Sequence, residues 1–153
     1  MGLTLEFLTG DSAKIETAFL KDDFDLLDSP QVVHKRADLS LHIVPKDLDL
    51  LSYQFGKFAR SAPIALRPYL HVILDEEDRG LFLVDKDWIT YAATVAEDTV
   101  NKIDEGWFDA MRQEYPNENI ELTPAATKAI GDLVSLCKYA IQHRLAVYHC
   151  WWL

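Results

Sequence analysis

The run Leu145–Leu153, Leu-Ala-Val-Tyr-His-Cys-Trp-Trp-Leu, constrains the fold more than any other stretch of this chain. It is too short to cross a membrane as a helix, rich in aromatic residues, and apolar on both alternating faces. Such a segment reads as a strand covered on both sides, and its natural place is the centre of a sheet. The opening segment, where Leu3, Leu5 and Phe7 alternate with Thr4, Glu6 and Leu8, is the expected neighbour.

Helices must supply the covering layers. Asp11 can cap a helix over about Ser12–Lys21 with Ile15, Ala18 and Phe19 inward. Lys21–Pro30 reads as a loop carrying Asp22, Asp23, Asp25 and Asp28, anchored by Phe24, Leu26 and Leu27. Ala37–Val44 is expected as a strand, with Leu39, Leu41 and Ile43 on one face and Asp38, Ser40 and His42 on the other. A helix starting at Pro45 should bury Leu48, Leu51, Phe55 and Phe58. Tyr69–Leu74 and Gly80–Val84 suit a hairpin whose tip is Asp75–Arg79. Lys86–Val95 is readable as strand or helix; the stripe Trp88, Ile89, Ala92, Val95 favours helix. A further helix, Glu97–Tyr115, should bury Val100, Ile103, Trp107 and Met111. Thr123-Pro124 then signals a helix start, with Ile130, Leu133, Val134, Cys137 and Ile141 inward. The whole is expected to be a single α+β domain, residues 1–153: a small mixed sheet packed with four to five helices.

Met1-Gly2 through Asp11 to Lys14-Ile15 forms one distinctive stretch, and Leu133 through Tyr139-Ala140 to Ala146-Val147 another. Leu83-Val84-Asp85 before Trp88, with Trp107 in the next helix, is a third. These stretches resemble the YfbM-like family of uncharacterised bacterial proteins. The resemblance covers about half the chain. It implies the same element order and a bacterial, cytosolic setting, and no particular activity.

Charge narrows the function classes. Lys and Arg number 15 against 25 Asp and Glu, a net charge of −10. Such a surface repels nucleic-acid backbones and anionic lipid. The segment Asp75–Glu121 alone holds 14 acids and 4 bases, the whole imbalance. Cys137 and Cys150 lack Cys-x-x-Cys spacing and read as reduced core thiols. With no leader or membrane span in view, the expected location is the cytoplasm.

Catalytic signatures are sparse. Strand alternation would put Asp38, Ser40 and His42 on one face, yet alternate residues on a strand stand too far apart for direct hydrogen bonding without bending. His34, His42, His71, His143 and His149 show no His-x-x-x-His or His-Glu-x-x-His spacing, so no metal or other cofactor is expected. The run Asp22–Asp28 lacks the glycine and distal glutamate of a calcium loop.

The leading expectation is therefore a noncatalytic protein that binds a basic protein through acidic residues, with an immunity or antitoxin-like inhibitor as its specific form. The contact would come from Asp75, Glu76, Glu77 and Asp78 at the hairpin tip. Glu97, Asp98, Asp104, Glu105, Asp109 and Glu114 on the helix would add to it. One alternative is a small hydrolase or metal-dependent enzyme using Asp38, Ser40, His42 and His71. Another is a small-molecule sensor with an aromatic pocket around Trp88 and Trp107. The sequence does not indicate an oligomeric state.

Overall fold

The computed structural model describes residues 3–41, 43, 45–58 and 70–153. Among the described residues five strands form one sheet: β1 (Thr4–Gly10), β2 (Val33–Asp38), β3 (Leu70–Asp75), β4 (Arg79–Val84) and β5 (Val147–Trp152). Their order is β2-β1-β5-β4-β3. Every pairing is antiparallel, so the α+β class stands and the mixed sheet expected from sequence does not. The apolar run at Leu145–Leu153 accordingly supplies the middle strand, paired to β1 on one side and β4 on the other.

The helices are α1 (Ser12–Leu20), α2 (Phe24–Leu27), α3 (Pro45–Phe58), α4 (Lys86–Thr94), α5 (Val100–Glu114) and α6 (Pro124–His143). Asp11 caps α1 by accepting from the Lys14 amide at 3.2 Å, and Thr123 caps α6 by accepting from Ala126 at 3.2 Å. The doubtful stretch after β4 is helical because Asp85 caps it, accepting from the Asp87 amide at 2.8 Å. A 3₁₀ turn at Glu97–Thr99 precedes α5. None of the described helices is long and apolar enough to cross a membrane.

Strand alternation divides the core in two. Leu5 and Phe7 of β1, Ala37 of β2, Val84 of β4 and Val147 of β5 face the α3–α6 layer. Leu8, Leu81, Tyr148 and Cys150 face α1 and α2 on the other side. Trp88 and Trp107 are core residues, as their helical spacing predicts. The Trp88 indole N–H donates to Ser52 Oγ at 3.0 Å, and that of Trp107 to the Asp47 carbonyl at 2.8 Å. They tie α4 and α5 to α3. Ile141 departs from the expected stripe and is exposed near the end of α6.

β2 lies upstream of its expected position, at Val33–Asp38 instead of Ala37–Val44. Its middle residues, His34, Lys35 and Arg36, are exposed, so apolar alternation conceals this edge strand. The Gly10 end of the β1–β2 ladder carries a bulge. A β-carbon on Gly10 would run into the Val32 carbonyl, so only glycine fits that approach.

Candidate functional site

Asp38 and Ser40 form part of a strand ending. The Ser40 amide donates to Asp38 Oδ1 at 2.9 Å, an Asx turn that closes β2. Ser40 Oγ accepts from the Leu5 amide at 3.0 Å and stands 3.4 Å from the Leu5 carbonyl, to which it can donate. That hydroxyl is committed to the β1 backbone. His71 lies on β3, at the opposite edge of the sheet, with Nε2 3.3 Å from Asp85 Oδ2. Four inter-strand steps of ~4.8 Å separate β2 from β3, so Asp38 and Ser40 cannot share a reaction centre with His71. His42 lies outside the described residues. Among the described residues no three His, Cys, Asp or Glu side chains come together as a metal site.

The carboxylates expected to form one contact surface divide between two regions. On α5, Glu105 and Asp109 are exposed, as are Glu97 and Asp98 in the preceding turn. Asp109 pairs with Arg112 at 2.7 Å, and Glu114 pairs with Lys46. Asp104 does not belong to this face. It is fully buried, accepts a hydrogen bond from Thr127 Oγ1, and its Oδ1 has no hydrogen-bond partner among the described residues. Its place on α5, between Ile103 and Trp107, turns it toward the core. Burial raises its carboxyl above the ordinary range, with Glu105 adding to the effect.

Asp75, Glu76, Glu77 and Asp78 are all exposed at the hairpin tip. This tip adjoins the turn between α1 and α2, not α5. Arg79 makes the connection: its guanidinium pairs with Glu76 at 2.7 Å, pairs with Asp22, and donates to the Phe19 carbonyl at 3.2 Å. Asp22 and Asp23 are exposed on that turn, Asp25 is exposed on α2, and Asp28 is exposed just after it. Asp22 is thus joined to the acidic tip through Arg79, whereas Asp28 pairs with Arg36 of β2 at 3.2 Å. The α5 acids lie on the opposite side of the sheet, where α5 packs with α3 and α6.

Beside this end, a pocket of about 160 Å³ opens between α2 and the sheet. Glu6, Leu8, Arg36 and Trp152 line its sheet side, and Phe24, Leu27 and Asp28 line the other. The β1–β2 register brings Glu6 and Arg36 onto the same face. Arg36 Nη1 stands 3.3 and 3.4 Å from the two Glu6 oxygens. Its Nη2 donates to the Leu27 carbonyl at 2.8 Å and to Asp28 at 3.2 Å. Burial raises the Glu6 carboxyl despite Arg36, and the negative charges of Asp38 and Asp28 push it the same way. The Phe24 and Trp152 rings meet at 5.5 Å and 43°, and Phe19 backs Trp152 at 6.2 Å.

These pocket residues were not candidates from sequence. The available signal was Glu6, a charge within a strand otherwise apolar on both faces. Its partner, 30 positions away, depends on a ladder that sequence periodicity misplaced. Comparison with known protein families, curated proteins and solved structures finds no match for the chain.

Proposed function

We propose that the chain is a noncatalytic binding protein that captures a basic protein through the acidic end formed by the hairpin tip and the α1–α2 turn. The observation that carries this reading is the joining of the exposed acidic tip, Asp75–Asp78, to Asp22 through Arg79, with Asp23 and Asp25 exposed close to Asp22 in the chain. Carboxylates so grouped create a field that draws in cations and repels phosphate backbones and anionic surfaces. Glu97, Asp98, Glu105 and Asp109 supply a second, weaker patch, partly neutralised by Arg112. An immunity or antitoxin-like inhibitor of a basic toxin, acting in a bacterial cytoplasm, is the finer form of this reading. The net charge supports the basic partner, and the resemblance to YfbM-like proteins supports the bacterial, cytosolic setting alone.

The test is titration with an oligolysine peptide at low and high ionic strength. The parent should bind at low salt and release at high salt. Glu76→Lys with Glu77→Lys should abolish binding, whereas Glu105→Lys with Asp109→Lys should weaken it less. Binding that ignores both salt and the tip reversals overturns the proposal.

A further inference from the structure

The pocket beside the acidic end has walls of a different kind from the surface around it. Phe24 and Trp152 form an aromatic wedge, and Phe19 holds the indole from behind. Glu6 and Asp28 place two carboxylates on the lining, Asp38 lies close enough to Glu6 to influence its charge, and Arg36 is the single cation among them. Both terminal nitrogens of Arg36 are already engaged by Glu6, Leu27 and Asp28. The guanidinium is therefore occupied in holding the carboxylates, and it is poorly placed to recruit an anion. Asp28 is 72% exposed and retains acceptor capacity toward solvent. The volume, about 160 Å³, is near the ~150 Å³ that encloses a benzene ring, and so is sufficient for a planar guanidinium with part of its stem.

We propose that this pocket receives an arginine side chain of the basic partner, stacked against Trp152 and Phe24 and hydrogen-bonded to Asp28. The inference rests on the capture of a basic protein proposed above and adds its anchor point. Aromatic faces attract cations, and guanidinium groups stack on them more readily than ammonium groups do. A carboxylate at the rim adds a charge-assisted hydrogen bond. The surrounding acids would bring the partner in, and the pocket would hold one residue of it. Arginine should therefore be preferred over lysine, a distinction that the open acidic surface does not make.

The experiment compares oligoarginine, oligolysine and the neutral isostere oligocitrulline by calorimetry. Parallel NMR follows the Trp152 indole N–H, assigned by its loss in Trp152→Phe. Oligoarginine should shift that signal and bind more tightly than oligolysine, and oligocitrulline should do neither. Phe24→Ala and Asp28→Asn, both at solvent-accessible positions, should each weaken oligoarginine about ten-fold and remove the preference over oligolysine. Thermal unfolding of both variants checks that they remain folded. Should they bind oligoarginine as the parent does while the tip reversals abolish binding, the pocket is refuted and the acidic capture surface survives. If the tip reversals also leave binding intact, both readings fall.

Discussion

The Arg36 guanidinium and the Glu6 carboxylate, on adjacent antiparallel strands, approach to 3.3 Å with Glu6 nearly out of solvent and Arg36 partly in it. The pair is asymmetric: Glu6 needs the cation more than Arg36 needs the anion. Removing Arg36 strands a buried charge, which is more damaging than the pair is stabilising. Arg36→Met should lower unfolding free energy by about 2 kcal/mol at neutral pH. The loss should shrink as pH falls toward 4.5, the ordinary glutamate value, because the native state can then hold Glu6 neutral. Adding Glu6→Gln to Arg36→Met should restore part of the stability at pH 7. Denaturant unfolding at several pH values checks both statements.

His149 sets an acid limit. Its ring lies 4.9 Å from Phe7 and 5.9 Å from Phe82, and neutral Nδ1–H can donate to the Glu6 carbonyl at 3.2 Å. Burial pushes its pKa from 6.5 down to about 4. Between those values the unfolded chain binds the proton and the native state does not, so stability must fall as pH falls. Above 6.5 both states are neutral and the contribution is complete. Relative to His149→Gln, the parent should lose about 3 kcal/mol between pH 7 and pH 4. A parallel dependence in the two proteins would contradict this.

Asp104 has the opposite sign. Its raised carboxyl pKa means that ionisation is resisted in the native state, so its contribution worsens as pH rises above 3.8. Asp104→Asn keeps an oxygen available to Thr127 and removes the buried charge. The variant should be more stable than the parent by about 1 kcal/mol at pH 8, and the difference should vanish toward pH 4. Melting temperatures measured across that range give the answer directly.

Gly80 is required by its neighbour. A β-carbon there would overlap the Trp151 ring, which lies across it from β5, and would also crowd Phe82. Gly80→Ala should therefore destabilise by about 2 kcal/mol despite alanine's lower chain entropy in the unfolded state. Trp151→Leu in the same chain should recover much of that loss, a coupling measurable by a double-mutant cycle.

Elements with strong local signals were legible from sequence. Asp11 and Thr123 announce α1 and α6 because their side chains satisfy amide groups a few residues away. The middle position of β5 follows from its being apolar on both faces. β2 was not legible, because an edge strand over which His34, Lys35 and Arg36 are exposed need not alternate. The acidic surface was half legible: composition identifies Asp75–Asp78, but only tertiary packing through Arg79 brings Asp22 to Glu76. Asp104 misled because a helical wheel that separates charged from apolar residues cannot register a buried acid held by Thr127 of another helix. The pocket was hidden for a related reason. It requires the pairing of β1 with β2 and the placement of α2 over it, both long-range relations.

Because β5 follows the other four described strands in chain order yet occupies the middle of the sheet, a ribosome must pass Trp152 before the two halves can meet. Until Val147–Trp152 emerges, β1 and β4 each offer a bare edge of backbone amides and carbonyls to any strand nearby. A nascent or truncated chain ending before Val147 would thus expose two adhesive margins at once, and self-association of such fragments is the expected fate of interrupted synthesis.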